Sequence, residues 1–255
     1  MFIDSHVHLD DPRFDEDRDR IIQELSKEGI DTVINIGADK QTSYASVELA
    51  EKYDNIYAVI GVHPHSASDV VTEGLDWLKE LSKNEKVVAI GEIGLDFYYD
   101  NSPRDLQRKY FLEQLDIAKE LDLPVVIHTR DAAKETFDIL KEAASDGKLK
   151  VLMHCYSGSA EMAMDYVKLG FYIALGGAVT FKNARVPREV AAAVPLGNLM
   201  VETDCPYLTP EPFRGRRNEP KHVKLVAEKI AEIKGISTEE LAKATAENAR
   251  KFFGI

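Results

Sequence analysis

Short apolar runs alternate with longer amphipathic stretches along the whole chain, the pattern of repeated strand and helix units around a parallel sheet. Eight runs read as strands: Phe2 to Asp4, Thr32 to Ile36, Ile56 to Ile60, Val87 to Ile90, Val125 to Ile127, Lys150 to Met153, Phe171 to Ala174 and Leu199 to Val201. Apolar positions at helical spacing fill the intervals at Arg18 to Glu28, Thr42 to Tyr53, Leu75 to Ser82, Asp105 to Leu121, Ala132 to Ala144, Ala160 to Leu169 and Arg188 to Val194. This order predicts an α/β fold, a closed (β/α)8 TIM barrel whose active site lies at the C-terminal mouth of the strands. Two C-terminal helices follow, Lys221 to Lys234 and Thr238 to Phe252, the second opened by Ser237 and Glu240 in a capping-box pattern.

Gly29, Gly147 and Gly170 stand just past predicted helices, where a left-handed cap is wanted. Thr209 to Pro220, with three prolines and three arginines, reads as a long ordered loop after the last strand. No repeat, low-complexity tract or linker interrupts the pattern, so residues 1–255 read as a single domain. That length, with 44% hydrophobic residues, suits one barrel.

Charge changes the picture of what the chain can bind. Lys and Arg total 32 against 44 Asp and Glu, a formal charge of −12, which argues against gripping nucleic acid with a broad basic face. A polyanion must be held locally, by cations in a cleft and a few arginines. The N-terminus lacks a basic leader, and no apolar run approaches membrane-spanning length, so a cytoplasmic protein without membrane association is expected, as a monomer or small homo-oligomer. The two cysteines, Cys155 and Cys205, read as small buried apolar residues rather than disulfide partners or catalytic thiols.

Because barrel strands aim their C-terminal side chains into one mouth, the residues terminating each apolar run carry the information. FIDSHVH supplies His6 and His8, VVAIGE supplies Glu92, VVIH supplies His128, KVLMH supplies His154 and LMVETD supplies Asp204. Residues two apart on a strand share a face, so His6 and His8 form a pincer for one cation. Glu92 offers two oxygens to bridge two cations, His128 and His154 complete the second site, and Asp204 binds the first metal or takes a proton from its water. Asp4 and Glu202, at the parity of His6 and Asp204, are candidates to accept the far N–H of a ligating imidazole. His63, in the GVHPH turn, reads as a substrate-facing donor or acid. Arg130 and Arg214 are candidates for phosphate oxygens, while Arg216 and Arg217 read as solvated charge.

The segments DSHVHLD, GVHPH, GEIGLDFYYD, VIHTRDA, HCYSGS, ETDCPYLTP, PFRGRRNEP and ENARKFF carry a family likeness. Over its full length the chain resembles the TatD family of metal-dependent deoxyribonucleases, within the amidohydrolase-like barrels. The resemblance implies divalent-metal nucleases that remove nucleotides from DNA ends, with ligands at His6, His8, Glu92, His128, His154 and Asp204. The expected activity is therefore phosphodiester hydrolysis, exonuclease-like, with a metal-bound water as nucleophile and DNA as substrate rather than stable partner. Catalytic roles fall to Asp204, Glu92 and His63, and two divalent ions (zinc, manganese, magnesium, cobalt or iron) are the expected cofactors. Hydrolysis of a C–N or C–O bond by a related barrel, and a non-catalytic metal-binding scaffold, are the alternatives.

Overall fold

In the computed structural model, which describes residues 1–255, eight parallel strands form one sheet in the order β1 to β8. They are β1 (Phe2–Val7), β2 (Ile30–Ile36), β3 (Ile56–Ile60), β4 (Val87–Asp96), β5 (Val125–Arg130), β6 (Val151–Met153), β7 (Tyr172–Leu175) and β8 (Leu199–Val201). The sheet closes just beyond β1 and β8, where Asp204 N–H donates to the His6 carbonyl and His8 N–H to the Cys205 carbonyl, each at 2.9 Å. The predicted TIM barrel is thus the fold. Around it run α1 (Arg18–Glu24), α2 (Lys40–Lys52), α3 (Val70–Glu73), α4 (Asp76–Leu81), α5 (Arg104–Glu120), α6 (Ala133–Ala143), α7 (Ala160–Lys168), α8 (Arg185–Ala193), α9 (Val223–Lys234) and α10 (Thr238–Phe253).

Alternation along the strands sorts the apolar residues into two cores. Ile3, Ile34, Val59, Val126, Leu152 and Met200 pack inside the barrel, where Phe252 and Phe253 of α10 join them and plug its N-terminal end. The opposite strand faces, among them Val33, Ile90, Ile127 and Met153, pack under the surrounding helices. Asn248 fastens the plug, donating from Nδ2 to the carbonyls of Leu196 and Leu199, each at 2.8 Å. Truncating the fully buried Phe252 leaves a void that a closed sheet cannot collapse to fill. Phe252→Ala is expected to cost about 3–5 kcal/mol in denaturant unfolding; a cost below about 1 kcal/mol would refute the plug.

Several boundaries differ from the sequence reading. Strands β1, β4 and β5 run on to Val7, Asp96 and Arg130, because polar side chains at a barrel mouth belong to the strand that carries them. Helix α1 stops at Glu24, and its remaining residues make turns leading to Gly29 at φ +74°. An unforeseen one-turn helix, α3, precedes α4 and ends at Gly74. Helix α8 begins at Arg185, so that Pro187 lies in its first turn, where a missing N–H costs nothing. Ser237 caps α10 as expected, its hydroxyl accepting from Glu240 N–H at 3.0 Å.

Two irregularities aim the mouth. The β1–β2 register shifts between Asp4 and Val7, and the β4–β5 register between Ile90 and Ile93. Each shift resets the alternation, so that Val7 and Ile93 pack outward while His6, His8 and Glu92 face the mouth. Gly94 is required beside the second shift: a Cβ there would lie 2.0 Å from the His128 carbonyl oxygen of the adjoining strand.

Candidate metal centre

The six expected ligands converge at the mouth, in and below a cavity of about 1060 Å³. His6 Nε2 lies 3.2 Å from His8 Nε2, 3.5 Å from Glu92 Oε2 and 3.7 Å from Asp204 Oδ1. His8 Nε2 is 3.5 Å from the same Asp204 oxygen. On the other side of Glu92, Oε1 is 2.9 Å from both His128 Nδ1 and His154 Nε2. Asp204 reaches this position through a left-handed turn at φ +56°, a conformation that aspartate tolerates.

The far side of each ring explains why the near atoms matter. His8 Nδ1 sits 3.0 Å from the Ile36 carbonyl, His128 Nε2 lies 3.2 Å from Asp96 Oδ2, and His154 Nδ1 is 3.3 Å from Glu202 Oε1. All three partners only accept, and so do the carboxylates on the near side, so a neutral ring, with one proton to place, leaves a lone pair facing an acceptor on one side or the other. Lone pairs facing carboxylates within 2.9–3.7 Å repel unless a second proton or a cation lies among them. The donors therefore fit divalent metal. Imidazole and carboxylate suit zinc, iron, cobalt and manganese. Ligand-capable atoms lie within 4.8 Å of one another in three groups, His6 with His8 and Glu92, His63 with Glu92 and His128, and His6 with His154 and Glu202, and the first two share Glu92.

Electrostatics carry the same message. Burial opposes charging Glu92, yet the neighbouring His154 and His63 hold its carboxyl well below the usual range. Burial likewise disfavours His8 as a cation, but the hydrogen bond and charge of Asp204 raise it to about 9. His128 and His154 are also raised against their burial, by Asp96 and Glu92 for the first and Glu92 and Glu202 for the second. A cation must displace these protons. Because the raised imidazoles hold protons through neutrality, divalent-metal affinity is expected to rise at least about tenfold between pH 6 and pH 8, with proton release on binding. Competition with a chromophoric chelator at the two pH values checks this; equal affinities would contradict it.

A backbone contact sets the tautomer of His63. Its Nδ1 accepts the backbone N–H of His65 at 3.1 Å, which leaves the proton on Nε2, 3.6 Å from Glu92 Oε1. Burial pushes its pKa well below the ordinary imidazole value, so the ring is neutral and presents a donor.

The supporting acids divide. Glu202 stands behind His154 as expected and also accepts the Cys155 N–H at 2.6 Å. Asp4 departs from expectation, because the register shift in β1 turns its carboxylate away from the imidazole rings. It accepts instead from Thr203 N–H at 2.9 Å and Thr203 Oγ1 at 2.6 Å, stapling β1 to the turn after β8, and burial pushes it up to about 8. Arg130 lines the cavity, whereas Arg214 lies outside it. The Arg214 guanidinium packs 3.8 Å over the Phe181 ring and donates to the Thr209 carbonyl at 3.1 Å, holding the loop after β8. Arg217 pairs with Asp17 and Glu219. Cys205 is buried and Cys155 partly so, and burial raises both thiols, as suits inert residues.

Sequence reading missed Asp96. This fully buried acid at the end of β4 accepts from His65 Nε2 at 2.8 Å and stands behind His128. The signal was present, since residues 92, 94 and 96 share a strand face.

A parallel barrel with imidazoles and carboxylates gathered at its C-terminal mouth is the arrangement of a metal-dependent hydrolase. The family described as TatD related DNase matches residues 3–254, and the chain belongs to that family. It is 48% identical over 255 residues to the uncharacterized metal-dependent hydrolase YabD of Bacillus subtilis, covering 100% of both chains. The uncharacterized metal-dependent hydrolase YcfH of Escherichia coli is 38% identical over 258 residues, covering 100% of this chain and 96% of that one. The crystal structure of YJJV, a TatD homolog from Escherichia coli, superposes with a TM-score of 0.93 at 32% identity, covering 100% of this chain and 98% of that one. No helix is long and apolar enough to cross a membrane.

Proposed function

We propose that this protein hydrolyses phosphodiester bonds, as a deoxyribonuclease acting at DNA ends, with two divalent cations as cofactors. The observation that carries the reading is the cavity's division of labour: converging lone pairs at its floor, a fixed proton donor in His63, and Arg130 at its rim. Arg130 is the one arginine or lysine lining the cavity, and its guanidinium has no acceptor among the protein's own groups. Such a set suits an anionic substrate better than a neutral amide or lactone.

Bound there, the cations would acidify water and neutralise charge on the phosphoryl oxygens. His6, His8 and Asp204 would hold one cation, His128 and His154 the other, and Glu92 would serve both. Asp204 Oδ1 accepts the proton released by the attacking water, since its carboxyl is held ionised: burial opposes this, but His8, His154 and His6 outweigh it. His63 Nε2–H donates a hydrogen bond to a phosphoryl oxygen or to the departing 3′ oxygen, which takes its proton from solvent, and Arg130 orients the phosphate. The acidic surface leaves DNA a transient substrate rather than a stable partner.

Metal-reconstituted protein incubated with end-labelled single-stranded and duplex DNA, RNA, small phosphodiesters, cyclic amides and lactones tests the reading. Turnover confined to phosphodiesters, with mononucleotides leaving DNA ends, is expected. Turnover of the amides or lactones alone would overturn it.

A further inference from the structure

Outside the metal centre, the rim beside β4 and β5 carries an aromatic surface with no structural task. Tyr98 and Tyr99 are 57% and 53% exposed, although large aromatic side chains are ordinarily covered. Their rings meet edge to face at 4.9 Å. Over both lies the Arg130 guanidinium, 4.0 Å from the Tyr98 centroid and 4.7 Å from that of Tyr99. Most other arginines bond a carboxylate or a backbone carbonyl through the side chain, but the Arg130 guanidinium makes no hydrogen bond or ion pair. Stacking holds it flat while leaving its fork free.

The surface is rigidly tied to the metal centre. One oxygen of the buried Asp96 accepts from the backbone N–H groups of Tyr98 and Tyr99, at 3.0 and 2.9 Å. Its other oxygen lies 3.2 Å from His128 Nε2. A single carboxylate thus fixes the distance between a candidate ligand and the aromatic rim. On the opposite rim, Arg13 stacks 4.3 Å over Tyr207, but Asp11 already occupies that guanidinium at 2.8 and 2.7 Å. Of these two rim groups, the one formed by Tyr98, Tyr99 and Arg130 offers both a planar stacking face and an unused cationic fork.

We propose that Tyr98, Tyr99 and Arg130 form a subsite for the base of the nucleotide whose phosphate occupies the metal centre. The inference rests on the phosphodiesterase reading, because among phosphodiesters it is nucleotides that join a planar ring to an anion. The base stacks on the tyrosine and guanidinium faces, and the fork contacts the attached phosphate. Asp96 acts as a positioning residue that sets the spacing between the two.

Calorimetric titration of manganese-loaded protein with thymidine 5′-monophosphate and with deoxyribose 5-phosphate tests it. The base-bearing probe is expected to bind at least about tenfold tighter. That ratio falls to near one in the Tyr98→Ala/Tyr99→Ala protein and survives in Tyr98→Phe/Tyr99→Phe, with metal content and thermal unfolding serving as fold controls. A ratio near one in the wild-type protein, or an undiminished ratio in the double alanine variant, would overturn the proposal. Absence of phosphodiester turnover would instead strike the reading beneath it, since the binding ratio is measured without hydrolysis.

Discussion

Glu92→Gln is expected to strip the protein of its cations and lower hydrolysis by at least about a thousandfold. Glu92 is the residue to which both halves of the centre point, with His6 facing one carboxylate oxygen and His128, His154 and His63 facing the other. Glutamine keeps the volume but halves the accepting oxygens and removes the charge that holds the surrounding imidazoles in place. Its amide N–H₂ must also face at least one lone pair. Metal analysis after dialysis and the rate on a small phosphodiester read the two effects. Full metal content with unimpaired rate would show that Glu92 is a structural acid only.

Asp204→Asn is expected to separate binding from rate. The amide oxygen can still face His8, so the protein should retain most of its metal. The proton acceptor, however, is gone, and general-base assistance is worth about 10²–10⁴ in rate. The expected result is a kcat lower by about a thousandfold with little change in KM. A wild-type acid limb in the pH profile of kcat, set by the ionisation of Asp204, should vanish in the variant. A retained limb would place the proton elsewhere.

The fold was legible because parallel strands buried on both faces read as short apolar runs, and eight such runs with helical intervals leave few closed arrangements. Strand alternation is kept where the backbone is regular: Val126, His128 and Arg130 on β5, Leu152 and His154 across β6, and Met200 and Glu202 leaving β8 each share a face. Parity failed at Asp4, because a bulge is a backbone event with no side-chain signature in the run FIDSHV. Asp96 was passed over for a related reason. Ending β4 at its last apolar run removed the residues by which the strand reaches the mouth. Arg214 was misjudged from loop composition, which reveals charge but not the aromatic ring beneath it.

Anomalous diffraction from manganese-soaked crystals tests the central claim most directly, that these distant side chains converge to hold divalent cations above a closed barrel. The account predicts two peaks flanking the Glu92 carboxylate, each within coordination distance of imidazole or carboxylate ligands. A folded barrel with no anomalous density at its mouth, or with density only at surface acids, would contradict it.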